Sequence, residues 1–434
     1  MSINIKQLVF IVAVFSVSTA IAQSPGARQK KSTLIVGGIA HLGNGDKIVD
    51  AAIGFDQGKI NFVGYASAVD RSAYQEVISA EGKHIYPGFI GPNTTLGLSE
   101  IGAVRATQDY REVGDYNPNV RAVIAYNTDS EITPTVRTNG VLYGQITPRG
   151  GVISGTSSVV QFDAWNWEDA VAKENDGVHL NWPNVYRKNG SWSDKPGIQK
   201  DKNYEDKLAE LKAFFTKAKA YEKANNSGLT DLKMEAMKGL FNGESNLYVH
   251  ADDVKQIAEA IHFKKEFDIK KMVIVGGYDS WLVADLLRDN NISVMLKRVH
   301  ELPVYSDDEV DLPFKLPKLL QDEGVLFCLE NSGSMEEMGM RNLPFYAGTA
   351  IAYGLTYEQA VMALSLNTAK ILGVDKKIGS IEVGKDASII ISEGDVFDMK
   401  TNAITHAFIE GRTVDLDNRQ KQLYRKYRTK YAKQ

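Results

Sequence analysis

The sequence predicts an α/β fold, a (β/α)8 TIM-type barrel carrying a small β-sandwich formed by both ends of the chain. Three observations predict it. Strand-like apolar runs alternate with amphipathic helical stretches across residues 87–377, and repeated βα units over that length suit a barrel of about 250 residues or more. Short strands broken by glycine recur near both termini, and neither set buries a core alone. No G-x-G-x-x-G follows a strand, which an open nucleotide-binding sheet would favour. The 434 residues are 43% hydrophobic and 24% charged, enough apolar content for one large barrel and a satellite domain. A net charge of -4 excludes a global attraction to nucleic acid.

From the N-terminus, Lys6 precedes an apolar run at 8–15, and Ala20-Ile21-Ala22 forms an A-x-A cleavage site before Gln23. Residues 1–22 therefore read as a secretory signal peptide. The run is short for a bilayer span, so the mature chain is expected in the periplasm or secreted, with no membrane span after cleavage. Cys328 is the sole cysteine and excludes an intramolecular disulfide. It sits in the apolar run 325–329 and reads as a buried, inert thiol.

Residues 33–86 and 378–415 supply the short strands of the sandwich. Within the barrel, candidate strands are 85–90, 141–146, 159–162, 247–250, 272–275, 292–296 and 325–329. Helices are expected at 253–267, at 280–288, and from the capping box Thr356-Tyr357-Glu358-Gln359 to about residue 372. A stretch of about 80 residues, 165–245, breaks the rhythm and reads as an insertion longer than an ordinary loop. Its Trp165, Trp167, Trp182 and Trp192 suit a pocket, a partner surface or plain packing. The tail from 416 to 434 reads as a basic helix with Leu423, Tyr427 and Tyr431 on one face and Tyr424 beside it, docked on the barrel or on a neighbouring subunit.

Three motifs carry a family resemblance. The first is Tyr86-Pro87-Gly88-Phe89-Ile90 with Leu96-Gly97-Leu98. The second is the helix with Asn367, Ala369, Lys370, Leu372 and Gly373. The third is Gly379-Ser380-Ile381-Glu382-Val383-Gly384-Lys385-Asp386-Ala387. Together they resemble the amidohydrolase superfamily, and most closely its imidazolonepropionase-like branch, whose members hydrolyse amide or cyclic-amide C–N bonds. That family normally binds one or two zinc or similar divalent ions at the C-terminal ends of the barrel strands.

Carried over position by position, the resemblance marks a degenerate metal site. The first-strand histidine pair becomes Asn93 and Thr95. The bridging lysine becomes Gln161, the sixth-strand histidine Gly276 and the last-strand aspartate Asn331. Only His250, on the fifth strand, is kept. One imidazole does not hold a catalytic zinc ion, for which three protein ligands are the usual minimum, and neutral amides are poor replacements. No metal or other cofactor is therefore expected.

Two readings of that loss stand side by side. In the first, the chain is an exported homologue that binds a small ligand or a partner chain and catalyses little. A homologous amidohydrolase subunit is the partner whose surface it would match, in an oligomer. In the second, it is a C–N hydrolase rebuilt around His250 and Glu330 as an acid–base pair. Arg149 with Gly150 and Gly151, on the loop after the second strand, forms a candidate anion site; ordinary turn chemistry accounts for the glycines equally well.

Overall fold

The computed structural model describes residues 24–189, 197–224 and 230–432. The expected signal peptide and Trp192 lie outside the described residues.

Eight strands form one curved sheet in chain order. They are β1 (Phe89–Thr94), β2 (Val141–Ile146), β3 (Ile153–Gln161), β4 (Val171–Asn181), β5 (Asn246–Ala251), β6 (Met272–Gly276), β7 (Ser293–Leu296) and β8 (Phe327–Leu329). The result is a mixed α/β fold with a nearly closed barrel. Among the described residues β1 and β8 are the two ends of this sheet. Their apolar sequences suit burial on both faces: every residue of β1, β2 and β3 is buried.

The barrel departs from a strict βα repeat at one place. β3 runs antiparallel to both β2 and β4, while the other neighbouring pairs are parallel. A parallel return needs a crossover of a dozen or more residues. Only residues 147–152 separate β2 from β3, so the chain turns straight back. Gly151 (φ +65°) sits in this turn, where a Cβ would lie 2.9 Å from the carbonyl oxygens of Gly114 and Asp115. β4 lies inside the stretch 165–245. Its polar opening, Val171-Ala172-Lys173-Glu174-Asn175-Asp176, conceals a strand that becomes apolar only at Val178. The helices Tyr204–Lys223 and Leu232–Asn242 complete that stretch. Trp182 is buried against Phe263, while Trp165 is exposed, so these two tryptophans do not share one surface.

Local signals set the helix ends. Asp253 and Gln256 form a capping box for Val254–Phe267, and Thr356 and Gln359 form one for Tyr357–Leu364. The expected continuous helix to residue 372 is broken at Ser365 (φ -129°, ψ -92°) and resumes as Leu366–Leu372. The buried Ser365 hydroxyl donates to the Val361 carbonyl at 2.7 Å, the side-chain back-bonding that competes with a helix.

The chain ends build two further sheets. One has four strands within residues 33–79, and the other combines Ile39–His41, Lys47–Val49 and His84–Pro87 with Ile389–Ser392, Ile404–Ile409 and Arg412–Thr413. Ile35, Ile53, Phe55, Ile85, Ile389 and Phe408 share one buried cluster between them. His84–Pro87 pairs antiparallel with Ile389–Ser392 and leads directly into β1. At the seam with the barrel, buried Asp163 accepts from Arg137 (2.8 Å), Arg412 (3.1 Å) and the Gly26 amide (2.8 Å). The tail forms the helix Arg419–Tyr431, but no residue of it is buried. It is held at its start, where Asn418 donates to Thr138 and Thr135 donates to Gln420. It is therefore not docked along its own barrel.

Removing one partner of a buried ion pair strands the others in low dielectric. Asp163→Ala is thus expected to lower unfolding free energy by roughly 3–5 kcal/mol, read by urea denaturation. A loss below about 1 kcal/mol, the scale of a surface pair, would show that the seam does not depend on this carboxylate.

Candidate functional site at the barrel mouth

The parallel strands end at one mouth, and the side chains there close the gap between β1 and β8. Asn93 is buried near the end of β1 with φ +50°, beside an irregularity in the β1–β2 register. Its amide nitrogen Nδ2 donates to Glu330 Oε2 at 3.3 Å, just past β8. Arg149, from the turn after β2, donates to Asn93 Oδ1 and to its backbone oxygen, both at 2.8 Å. The same guanidinium donates to Glu336 at 3.0 Å. The Thr95 hydroxyl lies 2.5 Å from Glu336 and 2.9 Å from Glu337. Asn331 donates to the Glu336 carbonyl at 2.8 Å and accepts from Tyr346. Asn93, Thr95 and Asn331, read from the sequence as former metal positions, therefore meet around Arg149 and Glu336.

A second layer lies deeper in the barrel. His250 Nε2 and His179 Nδ1 are 2.9 Å apart, and His179 Nε2 is 2.9 Å from Ser157 Oγ. Ser157 donates to Asp176 at 2.7 Å. Asp176 also accepts from Tyr248 at 2.5 Å and from Gln145 at 2.9 Å. Gln145 in turn accepts from the Asn93 amide at 3.0 Å, which joins the layers. This chain assigns the tautomers. Ser157 gives its proton to Asp176, so it accepts from His179 Nε2–H. His179 Nδ1 then accepts from His250 Nε2–H. The His179 ring stacks on Tyr248 with centroids 4.6 Å apart.

Burial governs the titration of these groups. Burial, with the Arg149 charge second, pulls His250 down to about 3. Burial and His250 push His179 well below its ordinary value. Burial raises Asp176 despite its donors. Burial likewise raises Glu330 to about 7, against the Ser332 hydrogen bonds and Arg149. The Ser332 hydroxyl donates to Glu330 Oε1 at 2.7 Å and its amide donates to Oε2.

The remaining sequence candidates separate. His250 and Glu330 share no hydrogen bond; each is held by other partners. Gln161 lies at the far end of the barrel, where it accepts from Arg412 at 2.7 Å, because the reversal of β3 carries its C-terminus away from the mouth. Gly276 ends β6 with φ +97°, and a Cβ there would lie 2.6 Å from Asp252 Oδ1. The left-handed backbone there favours glycine, whereas the Asp252 side chain could move aside. Gly150 and Gly151 pack against Arg111 and residues 114–115, so close approach accounts for them. Sequence reasoning did not single out Glu336, Ser157, Asp176 or His179. Its only local signal was the apolar flanks Val178 and Leu180.

Above the network opens a cleft of about 390 Å³ lined by Thr95, Glu100, Tyr110, Arg149, Glu336 and Glu337. A larger hollow of about 580 Å³ lies at the opposite end, beside Gln161, Asp163 and Arg412. The buried titratable groups converge on the mouth, which makes the smaller cleft the functional candidate.

Comparison with known proteins agrees with this architecture. Residues 313–414 match the model of the Amidohydrolase family. Amidohydrolase tasK of Hapsidospora irregularis is 19% identical over 357 residues, which cover 74% of this chain and 35% of that protein. The chain thus spans about a third of the length of that curated relative. A crystal structure of an amidohydrolase from Thermotoga maritima MSB8 superposes with TM-score 0.75 at 24% identity, over 88% of this chain and 99% of that one. An adenosine deaminase from Xanthomonas campestris with bound zinc gives TM-score 0.54 at 14% identity, over 93% and 98% of the two chains. The chain therefore has the amidohydrolase fold, and its 313–414 segment carries the family's sequence pattern.

The mouth makes stability depend on pH in two opposed ways. Glu330, raised to about 7, contributes stability that is full below its unfolded value and is lost as pH climbs toward 7. His250, lowered to about 3, contributes stability that is full above its unfolded value and is lost as pH falls toward 3. Glu330→Gln removes the first effect. Its stability relative to the unsubstituted protein is expected to rise between pH 5 and 7.5, on the order of 1–3 kcal/mol. Urea unfolding at the two pH values measures this, and a difference independent of pH would refute it.

Proposed function

We propose that this amidohydrolase-fold chain is an exported protein that binds a small molecule or a partner chain at the barrel mouth and does not run metal-dependent hydrolysis there. One observation carries the reading. Arg149 is fixed by two hydrogen bonds to Asn93 and an ion pair to Glu336, so a cation of the chain's own stands among the positions that resemble former metal ligands. A divalent ion would meet that guanidinium at close range in a partly dehydrated space, where like charges repel strongly.

The donor set supports the same reading. A zinc site needs about three protein ligands of imidazole, thiolate or carboxylate type. Among the described residues no three His, Cys, Asp or Glu side chains converge as such a group. His250 directs Nε2 at His179, and Gly276 has no side chain to offer. The residues at the mouth do not fit a binuclear centre of the imidazolonepropionase-like kind. Arg149 is paired with Glu336, and Glu100 and Glu337 add further negative charge to the lining. A neutral or amine-bearing ligand suits such a cleft better than an anion.

A second reading, metal-free hydrolysis of a C–N bond, is favoured by the Glu330 carboxyl alone. At about 7 it is poised between acid and base near neutral pH. Its position between Asn93 and Ser332 would let it take a proton from water only after one of those contacts opens.

Protein prepared without chelators is expected to hold well under one zinc or manganese ion per chain, measured by elemental analysis. It is also expected to show no turnover of dipeptides or lactams. Stoichiometric metal with chelator-sensitive hydrolysis would overturn the first reading. Metal-independent turnover abolished by Glu330→Gln would establish the second.

A further inference from the structure

The cleft above the mouth network carries more negative charge than its own side chains balance. Glu100, Glu336 and Glu337 line it, against Arg149 alone. Glu336 is buried and fully supplied with donors: Arg149 at 3.0 Å and Thr95 at 2.5 Å reach Oε1, and the Gly333 amide reaches Oε2 at 3.1 Å. Arg149 is thereby engaged by Glu336 and Asn93. Glu100 accepts from Asn127 Nδ2 at 3.2 Å, and Glu337 meets Thr95 at 2.9 Å. Among the described residues neither Glu100 nor Glu337 forms an ion pair with a basic side chain. Arg105, on the same loop as Glu100, donates instead to the Gln108 carbonyl at 2.6 Å.

The floor of this cleft is also one proton short. A hydroxyl has a single proton to donate. The buried Thr95 hydroxyl lies 2.5 Å from Glu336 Oε1 and 2.9 Å from Glu337 Oε1. The shorter contact takes the proton. Thr95 and Glu337 are then left with two oxygen atoms facing each other at a distance that calls for a donor. Apolar side chains surround this point: Tyr110, Ile132, Met335 and Met338 line the same cleft, and both methionines are exposed. Unbranched thioether chains adapt their shape to an apolar ligand. The volume of about 390 Å³ is that of a small-molecule pocket.

We propose that the cleft recognises a small monocationic amine with an apolar body. Its N–H groups donate to Glu337 and to the Thr95 lone pair, Glu100 adds the second negative charge, and its hydrocarbon packs on Tyr110, Ile132 and the two methionines. An ammonium supplies both things the cleft lacks, donor protons and positive charge. An alcohol supplies the proton without the charge. A carboxylate ligand adds to the negative charge, and a calcium ion supplies charge without a proton. The proposal rests on the reading of the mouth as a binding site and narrows what binds there. Metal content and turnover decide that reading; the charge preference of the cleft decides this one.

The test is isothermal titration calorimetry of the full chain with hexylamine, hexan-1-ol, hexanoate and calcium chloride. Hexylamine is expected to bind with a Kd of about 1 mM or tighter. Hexan-1-ol and hexanoate should bind at least about tenfold more weakly, the scale of a charge-assisted hydrogen bond. Glu337→Gln should weaken hexylamine about tenfold and Glu100→Gln by a smaller factor, while neither changes the affinity for hexan-1-ol. Circular dichroism melts confirm that each variant is folded, and either one alone tests the charge preference. Hexylamine that binds no tighter than hexan-1-ol overturns the amine class and leaves the mouth as a binding site. No hexylamine binding at about 10 mM overturns the proposal outright. So does full hexylamine affinity in both glutamine variants, or calcium that displaces hexylamine.

Discussion

The Arg149 guanidinium, held between Asn93 and Glu336, is the constraint on which the mouth depends. The sheet does not close through backbone pairing between β1 and β8 among the described residues. Side chains close it instead: Asn93 reaches Glu330, and Thr95 reaches Glu336 and Glu337. Glu330 and Glu336 are buried and need donors. Arg149 supplies them to Glu336 while orienting Asn93 toward Glu330. An organic cation of the chain's own thereby balances the Glu336 charge.

The reversal of β3 has consequences at both ends of the barrel. It sends Gln161 to the base, where it joins Arg412, Asp163 and Arg137 in the seam with the terminal sheets. It also places Ser157 in the interior beneath His179. There one hydroxyl links an imidazole to Asp176, and the proton order along His250, His179 and Ser157 follows from that single acceptor. The network leaves no buried donor without a partner along its length, which makes it rigid as well as polar. Two neutral histidines and one Glu held near neutrality sit within this frame because burial opposes charge on all three.

Much of the architecture is legible in local patterns. The capping boxes at Asp253 and Thr356 mark helix starts because the side chains involved are three residues apart. The strands ending at Ile146, Ala251, Gly276 and Leu329 are visible as short apolar runs. Asn93, Thr95 and Asn331 are recognisable as strand-end positions because the surrounding motif supplies their register. β4 was hidden by its polar first half, and the pairing direction of β3 was hidden by the habit of βα repetition, although the short link at 147–152 encodes it.

The sequence by itself determined which residue types stand near the strand ends: Asn93 and Thr95 at the first, His250 at the fifth and Asn331 at the last. Side-chain chemistry at a position is a local property and needs no neighbour to define it. The tertiary structure decided what those residues do. His179 meets His250 across 71 positions, Asn93 meets Glu330 across 237, and Thr95 meets Glu336 across 241. Contacts over such separations exist only when the closing barrel brings strand ends together, because a chain's local preferences carry no record of which distant segment will lie beside it.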